Sequence, residues 1–114
     1  MLSKQQLKNA VIKERSDLRS AMVSIKETGL GMAVVVDNYF HVVGLVSDGD
    51  IRQQLLTNED LHIPVTSCMS KDFVYVNKGC QREEVLKLLD ARIRQIPVLD
   101  SKGCLVDIVG SGYN

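Results

Sequence analysis

The chain carries one phrase twice. Met32–Asp50 reads MAVVVDNYFHVVGLVSDGD, and Gln95–Tyr113 reads QIPVLDSKGCLVDIVGSGY. At a constant offset of 63 residues, Asp37 falls on Asp100, Val46 on Val109 and Gly49 on Gly112. Such a repeat predicts two similar units. Each is too small to bury an adequate core alone, so the two should share one. The mismatches carry as much information. Ser47 and Asp50 of the first copy become Gly110 and Tyr113 in the second, so polar chemistry present in one copy is missing from the other.

Local signals fill in each unit. Ser3 with Gln6 forms a capping-box pattern that opens a short helix through Leu7 and Ala10. A second helix starts near Ser16 or Asp17. Leu18, Ala21, Met22 and Ile25 give it one apolar face, and Gly29 ends it. Met32–Val36 is a continuous apolar strand, Asp37–Asn38 a turn, and His41–Val46 the returning strand. Ser47–Asp50 then opens a helix through Ile51 and Leu55. Leu61–Ser70, with Pro64, links the halves around one helical turn. The second half reads as a strand at Phe73–Val76, a helix at Glu83–Arg92 with Val85, Leu88 and Leu89 inward, and strands at Gln95–Leu99 and Leu105–Val109. Ser101–Gly103 is their turn. The chain stops at Asn114, where the second copy would begin its last helix, which suggests a longer parent protein.

Bulk properties exclude several classes. Fourteen basic and fourteen acidic residues cancel, so no global field draws nucleic acid or an anionic membrane. Aromatics are 4% of the chain and are not interleaved with basic residues, which argues against a single-strand groove. The amino terminus is too polar for a secretory signal, and no apolar run approaches a bilayer span. Cys68, Cys80 and Cys104 show no CxxC spacing, which points to reduced thiols in a cytosolic setting.

Gly44-Leu-Val-Ser47-Asp-Gly-Asp50-Ile-Arg52 resembles the signature of the cystathionine β-synthase (CBS) domain, as does Ile93-Arg-Gln-Ile-Pro97-Val-Leu-Asp100 in the second copy. The resemblance covers essentially the whole chain as a tandem CBS pair, or Bateman module, with repeats over residues 1–62 and 63–114. The phrases VSDGDIR and IRQIPVLD are similar to pairs fused to sugar-phosphate nucleotidyltransferases. The resemblance implies an α+β fold of two αββα-type units packed sheet to sheet about a pseudo-two-fold axis. It implies clefts that bind adenine nucleotides such as AMP, ADP or ATP as regulatory ligands, with no cofactor required. It also implies an attached catalytic domain under regulation and a homodimer formed through the helices.

The first-copy motif has a physical rationale. One carboxylate can accept a hydrogen bond from each of two ribose hydroxyls. A helix amino terminus offers free N–H groups to phosphate. Ser47 and Asp50 supply both, Leu45 and Val46 could wall an adenine, and Arg52 and Arg94 are phosphate candidates. Ser-x-x-Asp is equally a helix cap that needs no ligand, and the two roles are compatible. Asp48, a second carboxylate beside the cleft, disfavours a free polyphosphate. In the second copy Asp107 replaces the pattern's glycine, Gly110 its Ser/Thr and Tyr113 its Asp, so one ligand per chain is expected. The cysteines read as packing thiols, and Met22, Met32 and Met69 as fillers. His41, Asp48 and Asp50 fit no metal-ligand spacing. Gly44-x-x-x-x-Gly49 lacks the Lys and Ser/Thr of a phosphate loop. The competing reading is a structural dimerisation domain without ligand. A stand-alone enzyme fits least, since no catalytic constellation is present.

Overall fold

A computed structural model describes residues 2–110. The first unit runs α1 (Lys4–Asn9), β1 (Val11–Lys13), α2 (Leu18–Thr28), β2 (Met32–Val36), β3 (Val42–Ser47) and α3 (Asp48–Thr57). The second runs β4 (Val76–Asn77), α4 (Arg82–Leu88), β5 (Gln95–Leu99) and β6 (Leu105–Gly110), after a single 3-10 turn at Val65–Ser67. Each unit builds a three-stranded sheet, β1-β2-β3 or β4-β5-β6. In both sheets the first pair is parallel and the second antiparallel.

The duplication is visible down to hydrogen bonds. Asp37 Oδ1 accepts the N–H groups of Tyr39 and His41, each at 2.9 Å. Asp100 Oδ1 accepts those of Lys102 and Cys104, again at 2.9 Å. The ladder slips just beyond Val35 in one hairpin and just beyond Val98 in the other, so Val36 faces Val42 and Leu99 faces Leu105. Both turns need one residue in the left-handed region. Gly103 meets that need freely at φ 85°, whereas Phe40 adopts φ 68° with a side chain. His41 and Cys104 are counterparts in the repeat, and they form an antiparallel bridge with each other. A position that pairs with its own equivalent lies on the two-fold axis. The bridge therefore fixes the axis at the hairpin tips.

Strand β2 is buried along its whole length. Its alternation splits it between two cores. Ala33 and Val35 face Leu18, Ala21 and Ile25 of α2, together with Val46, Ile51 and Val65. Met32, Val34 and Val36 face Leu99, Leu105 and Ile108 of the other sheet. The second sheet's far face packs Ile96 and Val109 with Val76 and Val85. The result is sheet on sheet with helices outside, the α+β arrangement the resemblance implied.

Three elements differ from the sequence reading. Strand β1 went unread because Val11–Lys13 is short and carries no alternation; β2 supplies its partner. The second-unit strand is confined to Val76–Asn77, leaving Phe73 and Tyr75 to pair their rings at 5.9 Å. Helix α4 ends at Leu88, four residues early, because Asp90 Oδ1 accepts the N–H groups of Arg92 and Ile93 at 2.7 Å each. That local bonding competes with helical bonding. The helix foreseen after Asn114, and the Gly112 and Tyr113 correspondences, lie outside the described residues.

The linker is tied to the first unit. Ile63 and Leu61 carbonyls accept the N–H groups of Leu18 and Arg19 at the start of α2, both at 3.0 Å. Asp17 caps the same helix, accepting the Ser20 N–H at 2.9 Å and meeting His62 Nδ1 at 3.1 Å. The Ser20 N–H first, and then His62, lower the Asp17 carboxyl from 3.8 to about 2. A depressed carboxylate contributes stability above its unfolded value, and that contribution is lost as pH falls through the folded one. The stability advantage of the wild type over Asp17→Asn should therefore shrink between about pH 4 and about pH 2. Urea midpoints measured across that window test this; a constant difference would refute it.

Gly44 is required by close approach. A Cβ there would meet Met69 Sδ at 2.6 Å and the Ser70 carbonyl oxygen at 3.1 Å. Leu45 and Ser70 exchange N–H···O bonds of 3.0 and 2.7 Å beside it. Gly44→Val should destabilise the fold by about 1–3 kcal/mol, the usual cost of overpacking, as read by urea unfolding.

Candidate functional site: a cleft shared by both repeats

A cleft of about 760 Å³ opens where the two units meet. The first unit contributes Gly31, Leu45, Ser47, Asp48 and Asp50. The second contributes Ser70, Asp72, Phe73, Arg92 and Arg94, among others. Its volume lies within the range of small-ligand sites. The Leu45–Ser70 bridge that demands Gly44 also brings the 70–74 segment to this wall. One backbone contact thus links the fold to the cleft.

Ser47 and Asp50 sit at the amino terminus of α3. Ser47 Oγ accepts the Asp50 N–H at 3.1 Å, and Asp50 Oδ2 accepts the Ser47 N–H at 2.9 Å. This is a complete capping box, so the capping role is realised. The cap occupies Oδ2 and leaves Oδ1 of Asp50 without a hydrogen bond among the described residues. Gly31, at φ 79°, turns its carbonyl to accept the Asp48 N–H at 3.0 Å. That contact anchors the helix start against the preceding loop.

The other sequence candidates divide. Leu45 lines the cleft, as expected of an apolar wall. Val46 does not. Strand alternation points it the opposite way, fully buried in the first unit's core. Arg52 lies exposed on α3 and does not line the cleft, because two residues past Asp50 the helix has turned away. Arg94 does line it, and so does Arg92, which the sequence reading passed over. The signal for Arg92 was present: the repeat aligns Arg92 and Arg94 with Gly29 and Gly31. Asp72 was also missed, since nothing in its own segment announces a cleft. Asp90 holds the loop carrying both arginines, and the Ile93 and Arg92 N–H groups keep its carboxyl below the usual range.

The remaining candidates are packing groups. Cys68 borders the first core, where burial and then the Asp50 carboxylate push its thiol up. Burial does the same to Cys80, assisted by Glu84. Raised thiols make poor nucleophiles. His41 Nδ1 is engaged by Asp37 Oδ2 at 3.0 Å. Met32 is buried between the sheets, and Met22 and Met69 pack on the first core. In the second copy, a Cβ at Gly110 would collide with the Gln95 side chain and the Arg94 carbonyl. The place of the Ser47 counterpart is thus already filled. No described helix is long and apolar enough to cross a membrane.

A family model for the CBS domain matches residues 7–57 and 62–112. The chain belongs to the CBS-domain family. Solved CBS pairs share its fold. CBSX2 of Arabidopsis thaliana is 25% identical, with a TM-score of 0.78 over 98% of this chain and 85% of its own. CBSX2 has also been solved with AMP. The CbpB protein of Listeria monocytogenes, solved with c-di-AMP, is 25% identical, with a TM-score of 0.79 over 98% of this chain and 86% of its own. Among curated relatives, a 17.7 kDa protein of Acidianus ambivalens is 32% identical over 87% of this chain and 60% of its own length. The arabinose 5-phosphate isomerase GutQ of Salmonella typhi is 30% identical over 82% of this chain and 30% of its own. The chain therefore spans between about a third and about three fifths of these relatives.

The two halves of the Ser47–Asp50 capping box are separable by substitution. Ser47→Ala should cost about 1 kcal/mol of stability through the lost cap. Asp50→Asn, which retains an acceptor for the Ser47 N–H, should cost less than half of that. Urea unfolding of the two variants beside the wild type makes the comparison.

Proposed function

We propose that this CBS pair is a regulatory sensor that binds one adenine nucleotide in the shared cleft. Asp50 Oδ1 and Ser47 Oγ hold the ribose, Leu45 borders the base, and Arg92 and Arg94 take the phosphate. The observation that carries this reading is the position of the groups: sugar-binding chemistry from the first repeat faces cationic chemistry from the second across one cleft. A ligand spanning both walls favours one relative placement of the repeats, and differential affinity of that kind is what a sensor requires. Support for the ligand class comes from the AMP and c-di-AMP complexes of similar pairs. Gly110, with Gln95 over it, supports a single site per chain.

The regulated neighbour is proposed to be an enzyme of sugar-phosphate metabolism. Two lines support it: similarity to the sugar-phosphate isomerase GutQ, and the phrases shared with pairs fused to nucleotidyltransferases. A dimeric state fits the exposed Leu56 of α3 and Leu86 of α4. Those residues would equally serve a purely structural role, which binding measurements distinguish.

Calorimetry with AMP should give saturable binding at one ligand per chain. Asp50→Asn should weaken it at least ten-fold while leaving the fold intact by thermal melting. Two equivalent sites would refute the single-site assignment. Unchanged affinity in Asp50→Asn would remove Asp50 from the site, and absence of binding by AMP, ADP, ATP and c-di-AMP would favour the structural role.

A further inference from the structure

The cleft gathers five charged side chains: Asp48 and Asp50 on the first unit's wall, and Asp72, Arg92 and Arg94 on the second's. None forms an ion pair with another among the described residues, where the ion pairs are His41–Asp37 and His62–Asp17. Opposite charges facing one cleft without pairing leave both arginines available to a ligand. They also leave two carboxylates, Asp48 and Asp72, with no role in holding a ribose.

We infer that Asp48 and Asp72 act as a charge filter that confines the cleft to ligands of about two negative charges, a nucleoside monophosphate or a cyclic dinucleotide, and turns away free nucleoside triphosphates. This rests on the nucleotide-binding reading above and specifies the ligand within it. Two guanidinium groups can balance one phosphate monoester or two phosphodiesters. Further phosphates would have to extend past the arginines into a cleft whose remaining charges are carboxylates. Asp72 matters most to the argument. It comes from the second repeat, so the filter acts from both walls of the cleft. Both carboxylates are exposed, so the effect is screened by salt and modest in size.

The test is competition of AMP, c-di-AMP and ATP for the intact chain in low-salt buffer with a chelator, to keep ATP metal-free. AMP should bind at least five-fold tighter than ATP, and the gap should narrow as salt is raised. Asp48→Asn/Asp72→Asn should raise ATP affinity at least five-fold and AMP affinity by much less. ATP binding as tightly as AMP to the wild type would overturn the filter and leave the nucleotide reading standing. A gap that persists in the double variant would overturn the role of these carboxylates. The salt series on the wild type decides the matter independently of how the variant folds, since a salt-insensitive gap also overturns the filter. If no adenine ligand binds, the nucleotide reading fails and the filter falls with it.

Discussion

The contact between the two sheets governs the rest of the molecule. Met32, Val34 and Val36 meet Leu99, Leu105 and Ile108 in one apolar layer. Burying a side chain of this kind stabilises by roughly 1.5–3 kcal/mol. Neither hairpin could keep that face in water. The layer forces β2 to be apolar on both sides, because its other face must also close the helix core. It also sets the axis, through His41 and Cys104 at the tips, and hence the place where the opposite ends of the strands leave a cleft. The site is a consequence of packing two repeats, not an addition to either.

Much of this was legible in the sequence for specific reasons. The repeat survives at positions where geometry leaves little choice. Asp37 and Asp100 each accept two turn N–H groups, whereas Gly44 makes room for Met69 and Ser70 in the first copy alone, its counterpart being Asp107. Those residues also anchor the resemblance, so fold and topology followed from them. What stayed hidden depended on tertiary context. Strand β1 has no pattern of its own. Helix α4 stops where a side chain outcompetes the backbone, and the Glu83–Arg92 periodicity cannot show that. Val46 adjoins Leu45 and Ser47 in sequence but lies in the helix core, not in the cleft. Strand alternation separates it from Leu45 and Ser47.

The cleft teaches the converse lesson. Its first-repeat half lies in one contiguous motif, and motifs can be read. Its second-repeat half comes from the Asp90 turn and from the chain that pairs with Leu45. Neither looks like a site alone. Asp90 is informative here: its carboxylate spends itself on Arg92 and Ile93 N–H groups, so the same residue that ends α4 also shapes the loop bearing the arginines. The cationic wall of the cleft is thus set by the geometry of a loop that local propensity would call a helix end.

The duplication has been specialised in two complementary places. Ser47 and Asp50 stand where the second repeat has Gly110 and Tyr113, and Arg92 and Arg94 stand where the first has Gly29 and Gly31. Each repeat thus carries polar or charged side chains where the other does not. The glycines in return serve the chain: Gly29 ends α2 at φ 68°, and Gly31 presents its carbonyl to α3. Residues that must adopt left-handed backbone cannot easily also be arginine. Assigning backbone duties to one repeat and charge to the other allows a single cleft to collect both chemistries. A symmetric pair would have to compromise in two clefts at once, and the asymmetry of this sequence is the way around that conflict.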